Sequence, residues 1–266
     1  MPEGDTVRQT ATRLDRALTG RELTRADLRV PRHATADLCG GTVLATVPRG
    51  KHLLTRLRVR GEELTLHTHL KMEGSWRVHR AGARWERPGH TARVVLVAGD
   101  VEAVGFSLGA VDLLRTADED RVVGHLGPDL LDPDWGEEHL AQALARLRAA
   151  PGRPLRSALL DQSLLAGIGN VYAAEVCFLA GLHPETPVRD VPDLPSVVTS
   201  AHRLLVLNAD RPRRVTTGDP RSPSWVYGRA RQPCRRCGTP VRTGTSGDRP
   251  GQERVSYWCP TCQPRV

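Results

Sequence analysis

The chain has 266 residues, a formal net charge of +8 and a pI near 9.7. That length predicts two or three domains rather than one core. No run approaches the roughly 18 apolar residues of a membrane span, and the polar, acidic start does not resemble a signal peptide, so a cytoplasmic protein is expected.

In chain order, Asp5 is placed to cap a helix running to Leu18, with Val7, Ala11, Leu14 and Leu18 on one face and Gly20 as its stop. Residues 21–115 hold the strand-like runs TVLATV, KHLLTRLRV, ELTLHTHL, SWRVHR, ARVVLVAG, VEAVGF and AVDLL, divided by Gly or Pro turns, which predicts a β-sandwich. After LGPDLLDPDW the pattern turns helical in EEHLAQALARLRAA, PLRSALLDQSLLAG, NVYAAEVCFLAGL and LPSVVTSAHRLLVLNA. Between the second and third of these, a helix is expected to end at Gly167, Ile168-Gly169-Asn170 to reverse the chain, and Asn170 to cap the next helix. Free amides at that helix start suit a phosphate, and a plain capped corner between two helices accounts for the same spacing.

The last fifth of the chain differs from the rest. Residues 211–266 hold twelve arginines against Asp219, Asp248 and Glu253, a net of +9, which leaves +8 − 9 = −1 for residues 1–210. Such a bias reads as a patch for a polyanion, with nucleic acid as the leading partner, or as a solvated basic tail. The cysteines argue against the tail. Cys234, Cys237, Cys259 and Cys262 form two CxxC pairs separated by 21 residues, the spacing of a four-thiolate site for one structural zinc ion. With few apolar residues nearby, the metal is expected to supply most of that segment's folding free energy. Cys39 and Cys177 are read as small buried residues.

Six motifs in order then resemble one family: MPEG at the start, PRGKHLL at 48–54, HLKMEG at 69–74, HLGPDLL at 125–131, DQSLLAGIGNVYAAEV at 161–176 and VYGRARQPCRRCGTP at 226–240. The chain is similar to the formamidopyrimidine-DNA glycosylase and endonuclease VIII family. The resemblance implies a multidomain α+β fold: a β-sandwich with an N-terminal helix (1–117), a helix-two-turns-helix domain (118–224) and a zinc-finger β-hairpin (225–266). It implies a bifunctional DNA glycosylase and abasic-site lyase of base excision repair that works as a monomer on DNA holding oxidised bases or abasic sites.

The terminal residues gain chemical sense from that resemblance. Loss of Met1 leaves Pro2 as a secondary amine with a pKa of about 8, partly unprotonated at neutral pH. Condensed with the sugar C1′ it gives an iminium, an electron sink that favours elimination. Glu3, fixed beside it, is expected to act as general acid and base. Only two of the 38 basic residues are lysines, Lys51 and Lys71. Lysine can exchange a proton where arginine cannot, and Lys51 lies in the PRGK stretch where the family places a catalytic lysine.

Other positions follow from the resemblance alone. Asn170 and His69 are expected to bind phosphate, Arg254 to grip the flanking phosphate and assist the second elimination, and Glu175 to lie near the sugar. Met72, with Lys71 beside it, is expected to enter the stack left by the extruded nucleotide. Trp225, Tyr227 and Trp258 are read as packing around the zinc hairpin. Two departures stand out: Thr6 replaces a common glutamate, and VGFSLGAVDLL lacks the arginine that the purine-directed branch carries there. The second favours the endonuclease VIII branch and oxidised pyrimidines. A non-catalytic, zinc-containing binder of damaged DNA or of nucleic acid is the alternative.

Overall fold

The structure is a computed structural model that describes residues 2–246 and 254–265. The chain divides into two compact units, residues 1–125 and 126–266.

The first unit opens with α1 (Gly4–Leu18), whose buried Val7, Ala11, Leu14 and Leu18 repeat at helical spacing. Eight strands follow: β1 (Arg25–Leu28), β2 (Thr42–Arg49), β3 (His52–Val59), β4 (Glu62–His69), β5 (Ser75–Arg80), β6 (Ala92–Ala98), β7 (Val101–Phe106) and β8 (Ala110–Arg115). They make two antiparallel four-stranded sheets ordered β1-β6-β7-β5 and β2-β3-β4-β8. Leu53, Leu57 and Leu66 of one sheet share a core with Trp76, Val94 and Leu96 of the other and with the apolar face of α1. A short helix, α2 (Asp120–Val123), closes the unit.

The second unit holds α3 (Glu137–Arg148), α4 (Leu155–Leu160), α5 (Asn170–Leu179) and α6 (Leu194–Ala209), then a hairpin of β9 (Arg242–Ser246) and β10 (Arg254–Trp258). α5 is buried all round, as a central helix must be. One side of it meets the helical core, while Ala174 and Phe178 meet Val226, Val241 and the cysteines of the hairpin segment. Trp225 and Tyr227 pack against that second cluster, and Trp258 stands edge-on to His183.

Four local expectations are corrected. Helix α1 begins at Gly4 with Glu3 as its extended N-cap, because the Asp5 carboxylate accepts from the Thr6 amide and hydroxyl instead of capping the helix from outside. α4 stops at Leu160 rather than Gly167: Asp161 leaves helical geometry and accepts from the Ser163 amide and hydroxyl, and Gln162 then bonds the carbonyls of Leu160 and Ile168 and the amide of Gly167. Gly169, not Asn170, is the N-cap of α5. Cys39 is exposed, while Cys177 is buried.

Candidate active site and nucleic-acid interface

Pro2 is half-buried and Glu3 completely so. The Glu3 carbonyl accepts from the Val7 amide at 3.0 Å, which pins the residue to the first turn of a helix whose face is in the core. A backbone held in this way fixes the bond from Glu3 back to Pro2.

Lys51 sits in a two-residue loop, since Arg49 pairs directly with His52 across β2 and β3. Gly50 has φ +56°, the glycine-first pattern of a type II′ hairpin turn, which matches the twist of the strands. Around this turn the rings of His52 and His69 lie edge to face at 4.8 Å and those of His52 and His67 stack at 5.0 Å. Burial, helped by neighbouring imidazoles and by Lys71, pushes His52 down to about 3. Burial, helped by Lys71, His67 and Lys51, pushes His69 down to about 4. Both lysines therefore act on one neutral histidine group. His69 Nδ1 accepts from the Lys71 amide at 2.9 Å, which leaves Nε2 as the donor of a neutral ring.

Met72 stands at the apex of the next turn, with 63% of its surface exposed. The Gly74 amide closes that turn on the Leu70 carbonyl at 2.9 Å, and a Cβ at Gly74 would lie 2.3 Å from the same oxygen. Lys71 takes φ +52°, and its stem runs so close to Gly109 that a Cβ there would meet it at 2.1 Å. From below, Arg87 donates to the Glu73 carbonyl and the Ser75 hydroxyl. The three-residue link from β7 to β8, Ser107 to Gly109, offers no large exposed side chain, since Phe106 and Leu108 are buried.

In the second unit, Asn170 starts α5 and is nearly buried. Its Nδ2 donates to the Val255 carbonyl at 2.9 Å, and its Oδ1 accepts from Arg156 at 2.5 Å. Arg156 is itself buried and also donates to the carbonyls of Arg254 and Val255. Arg254 is exposed at the head of β10. The Glu175 carboxylate is fully buried and accepts from the amides of Trp225, Val226 and Tyr227 at 2.7–2.9 Å and from the Thr216 hydroxyl. In this geometry Glu175 anchors the segment that leads into the hairpin.

The sulfurs of Cys234, Cys237, Cys259 and Cys262 all lie within 4.8 Å of one another, with Sγ–Sγ distances of 3.9 Å for Cys234–Cys262 and 3.4 Å for Cys237–Cys259. A tetrahedral ion with ~2.3 Å bonds to sulfur requires edges of about 3.8 Å, so the donor set fits one metal ion. These distances are far longer than the roughly 2.05 Å of a disulfide. Gln263 completes the frame, accepting from the Cys259 amide and donating to the Leu182 carbonyl beyond α5.

Residues 1–108 match the formamidopyrimidine-DNA glycosylase N-terminal domain, and residues 126–205 the formamidopyrimidine-DNA glycosylase H2TH domain. The chain is 57% identical to the probable endonuclease 8 2 of Streptomyces coelicolor, over 99% of this chain and 94% of that one. The chain belongs to the formamidopyrimidine-DNA glycosylase and endonuclease VIII family. It is also 49% identical to the DNA-(apurinic or apyrimidinic site) lyase Nei2 of Mycolicibacterium smegmatis, over 99% of each chain. Its fold matches the Lactococcus lactis Fpg of a complex with abasic-site DNA, with a TM-score of 0.81 at 23% identity over 99% of this chain and 100% of that one.

Within this family member, Arg156 is a residue that sequence reasoning passed over. An arginine inside an apolar helix, ALLD following PLRS, was the available signal, because a buried guanidinium must be answered by acceptors. His52, His67 and Asp112 were passed over for another reason: they are remote in sequence and meet only through strand register.

Proposed function

We propose that this family member is a bifunctional DNA glycosylase and abasic-site lyase that removes oxidised bases, pyrimidines above all, through a Schiff base on Pro2. The observation that carries this reading is the fully buried, extended Glu3 held at the start of α1 directly behind Pro2. With Met1 removed, the Pro2 nitrogen attacks C1′, the bond from C1′ to the base breaks, and Glu3 protonates the ring oxygen as the sugar opens. The iminium then acidifies C2′. Loss of that proton expels the 3′ phosphate by breaking the C3′–O bond, and a second elimination expels the 5′ phosphate. Lys51 stands at the turn as a group that can exchange protons, in a chain that writes all its cations but this one and Lys71 as arginine.

Asn170 at the start of α5, His69 and Arg254 serve as phosphate contacts in this reading. Glu175 acts from behind, by fixing the segment before the hairpin. Cys234, Cys237, Cys259 and Cys262 would hold one zinc ion, whose contribution is the fold of the hairpin that carries Arg254. Exposed arginines such as Arg231, Arg235 and Arg242 add a charge that favours any DNA.

Lesion choice is argued from the loops. Met72 is the one large apolar side chain offered at its turn, and the β7–β8 link adds neither wedge nor cation. A site with one wedge discriminates the orphan base weakly and works well where no partner must be replaced. The test is a set of matched oligonucleotides carrying thymine glycol, 5-hydroxyuracil or 8-oxoguanine, opposite each base and unpaired, assayed in single turnover. Oxidised pyrimidines in single-stranded or bubble DNA should be cut fastest. A best rate on 8-oxoguanine opposite cytosine would refute the lesion class, and no incision of any substrate, abasic DNA included, would leave the non-catalytic binder as the better reading.

A further inference from the structure

Beside His69, the β-sandwich holds three side chains that this chemistry does not use: His52, His67 and Asp112. His52 is paired with His69, and His67 with Leu54 on one side and Asp112 on the other. Side chains alternate along a strand, so His52, His67, His69 and Asp112 share one face of the β2-β3-β4-β8 sheet. His67 Nδ1 lies 3.2 Å from Asp112 Oδ2, and His67 Nε2 lies 2.8 Å from His52 Nδ1.

With neutral rings this chain has one consistent arrangement of protons. A carboxylate only accepts, so His67 carries its proton on Nδ1 and its Nε2 is an acceptor. His52 must then donate from Nδ1, which leaves the lone pair on His52 Nε2. The other His52 tautomer would set two lone pairs against each other at 2.8 Å. The rings are neutral near pH 7, because burial lowers all three, with His52 at about 3 and His69 at about 4. His52 is met by His67 and His69 from β4, by His125 and by the charge of Lys71, while Asp112 also faces Arg32 at 3.4 Å.

We propose that Asp112 and His67 are positioning residues that lock His52 in one orientation with a bare Nε2, and that this lock holds the adjoining turn so that Lys51 meets its substrate in one geometry. The inference rests on the reading that Lys51 takes part in elimination. His52 is the residue that closes the Gly50-Lys51 loop against Arg49, so the setting of its ring is a boundary condition on the loop. The role is orientation rather than proton transfer, since a ring held neutral so far below pH 7 keeps its single Nδ1 proton in the bond to His67 and takes up no second proton there.

The test combines a spectroscopic and a kinetic readout on the full chain. Nitrogen-resolved imidazole NMR should find His52 protonated at Nδ1 and bare at Nε2 in the wild type, and a mixture of tautomers in Asp112→Ala. On abasic DNA, Asp112→Ala and His67→Gln should lower kcat by about tenfold or more, at or below the ~10²–10⁴ that a direct acid–base group supplies. KM should stay within about twofold, the signature of lost transition-state geometry rather than lost binding. Asp112→Asn, which keeps an oxygen for the His67 Nδ1 proton, should recover most of the rate. A wild-type His52 protonated at Nε2 would overturn the proposal. So would wild-type kcat in both Asp112→Ala and His67→Gln while Lys51→Arg is inactive. Full activity in Lys51→Arg would instead remove the reading of Lys51 and the proposal with it.

Discussion

The Asn170 side chain donates to the Val255 carbonyl at 2.9 Å, so a single amide fastens the first turn of α5 to the strand that begins with Arg254. Arg156 secures the joint from beneath, donating to Asn170 Oδ1 and to the carbonyls of Arg254 and Val255. Both proposed phosphate contacts of this unit therefore depend on one buried guanidinium.

Arg156→Met keeps an unbranched stem, shorter than that of arginine, and removes the donors. It should lower unfolding stability by about 2–4 kcal/mol, because buried acceptors lose charged partners. Urea unfolding measures this, and DNA affinity should fall alongside it. Unchanged stability and affinity would show that the joint is not held by Arg156.

Removal of metal should act locally. Cys237→Ser or Cys259→Ser, or treatment with a chelator, should unfold the hairpin and weaken DNA binding while the β-sandwich stays folded, because the four cysteines and the α5 face they pack on lie in the second unit. Elemental analysis should find one zinc per chain. A metal-free protein that binds DNA at full strength would contradict this.

Gly74→Ala isolates the Met72 turn. A Cβ there lies 2.3 Å from the Leu70 carbonyl oxygen, a backbone atom that cannot swing away. The turn must open, so incision of a lesion in duplex DNA should fall by about tenfold or more, while a single-stranded substrate, which has no stack to fill, loses much less. Equal losses on both substrates would argue against a wedge at Met72.

Where local pattern and tertiary structure agree, the sequence was readable. α6 runs from Leu194 to Ala209, the whole length of the predicted run, and the seven strand-like runs correspond to β2 to β8. β1 escaped because Arg25–Leu28 is short and has only one buried side chain to betray a period. The end of α4 was misread because apolar residues continue to Ala166, yet polar side chains of Asp161 and Gln162 bind the backbone more strongly than helix propensity does. The Asp112–His67–His52 chain left no local trace at all, since a register is not written in any one strand.

The histidines also predict how stability follows pH. His52, His67, His69 and His183 all have folded values below the ordinary 6.5, with burial as the leading cause in each. The unfolded chain thus binds more protons as pH falls below about 6.5, and stability that is complete above that pH is lost on the way down to about 4 for His69 and about 3 for His52. Each group adds at most about 1.4 kcal/mol per pH unit. Urea midpoints at pH 7, 6 and 5 should decline, and His52→Gln should flatten the decline. A midpoint that rises on acidification would mean that these rings are not held neutral.

The central claim is that Pro2 is the nucleophile, and the covalent bond it makes can be seen directly. Incubation with abasic-site DNA and borohydride, followed by proteolysis and mass spectrometry, should place the reduced sugar on the N-terminal peptide at Pro2. Retention of Met1 should abolish the adduct, and Glu3→Gln should impair base removal more than cleavage of a ready-made abasic site. An adduct found on Lys51, or an undiminished adduct in protein whose terminal amine is blocked, would contradict the account.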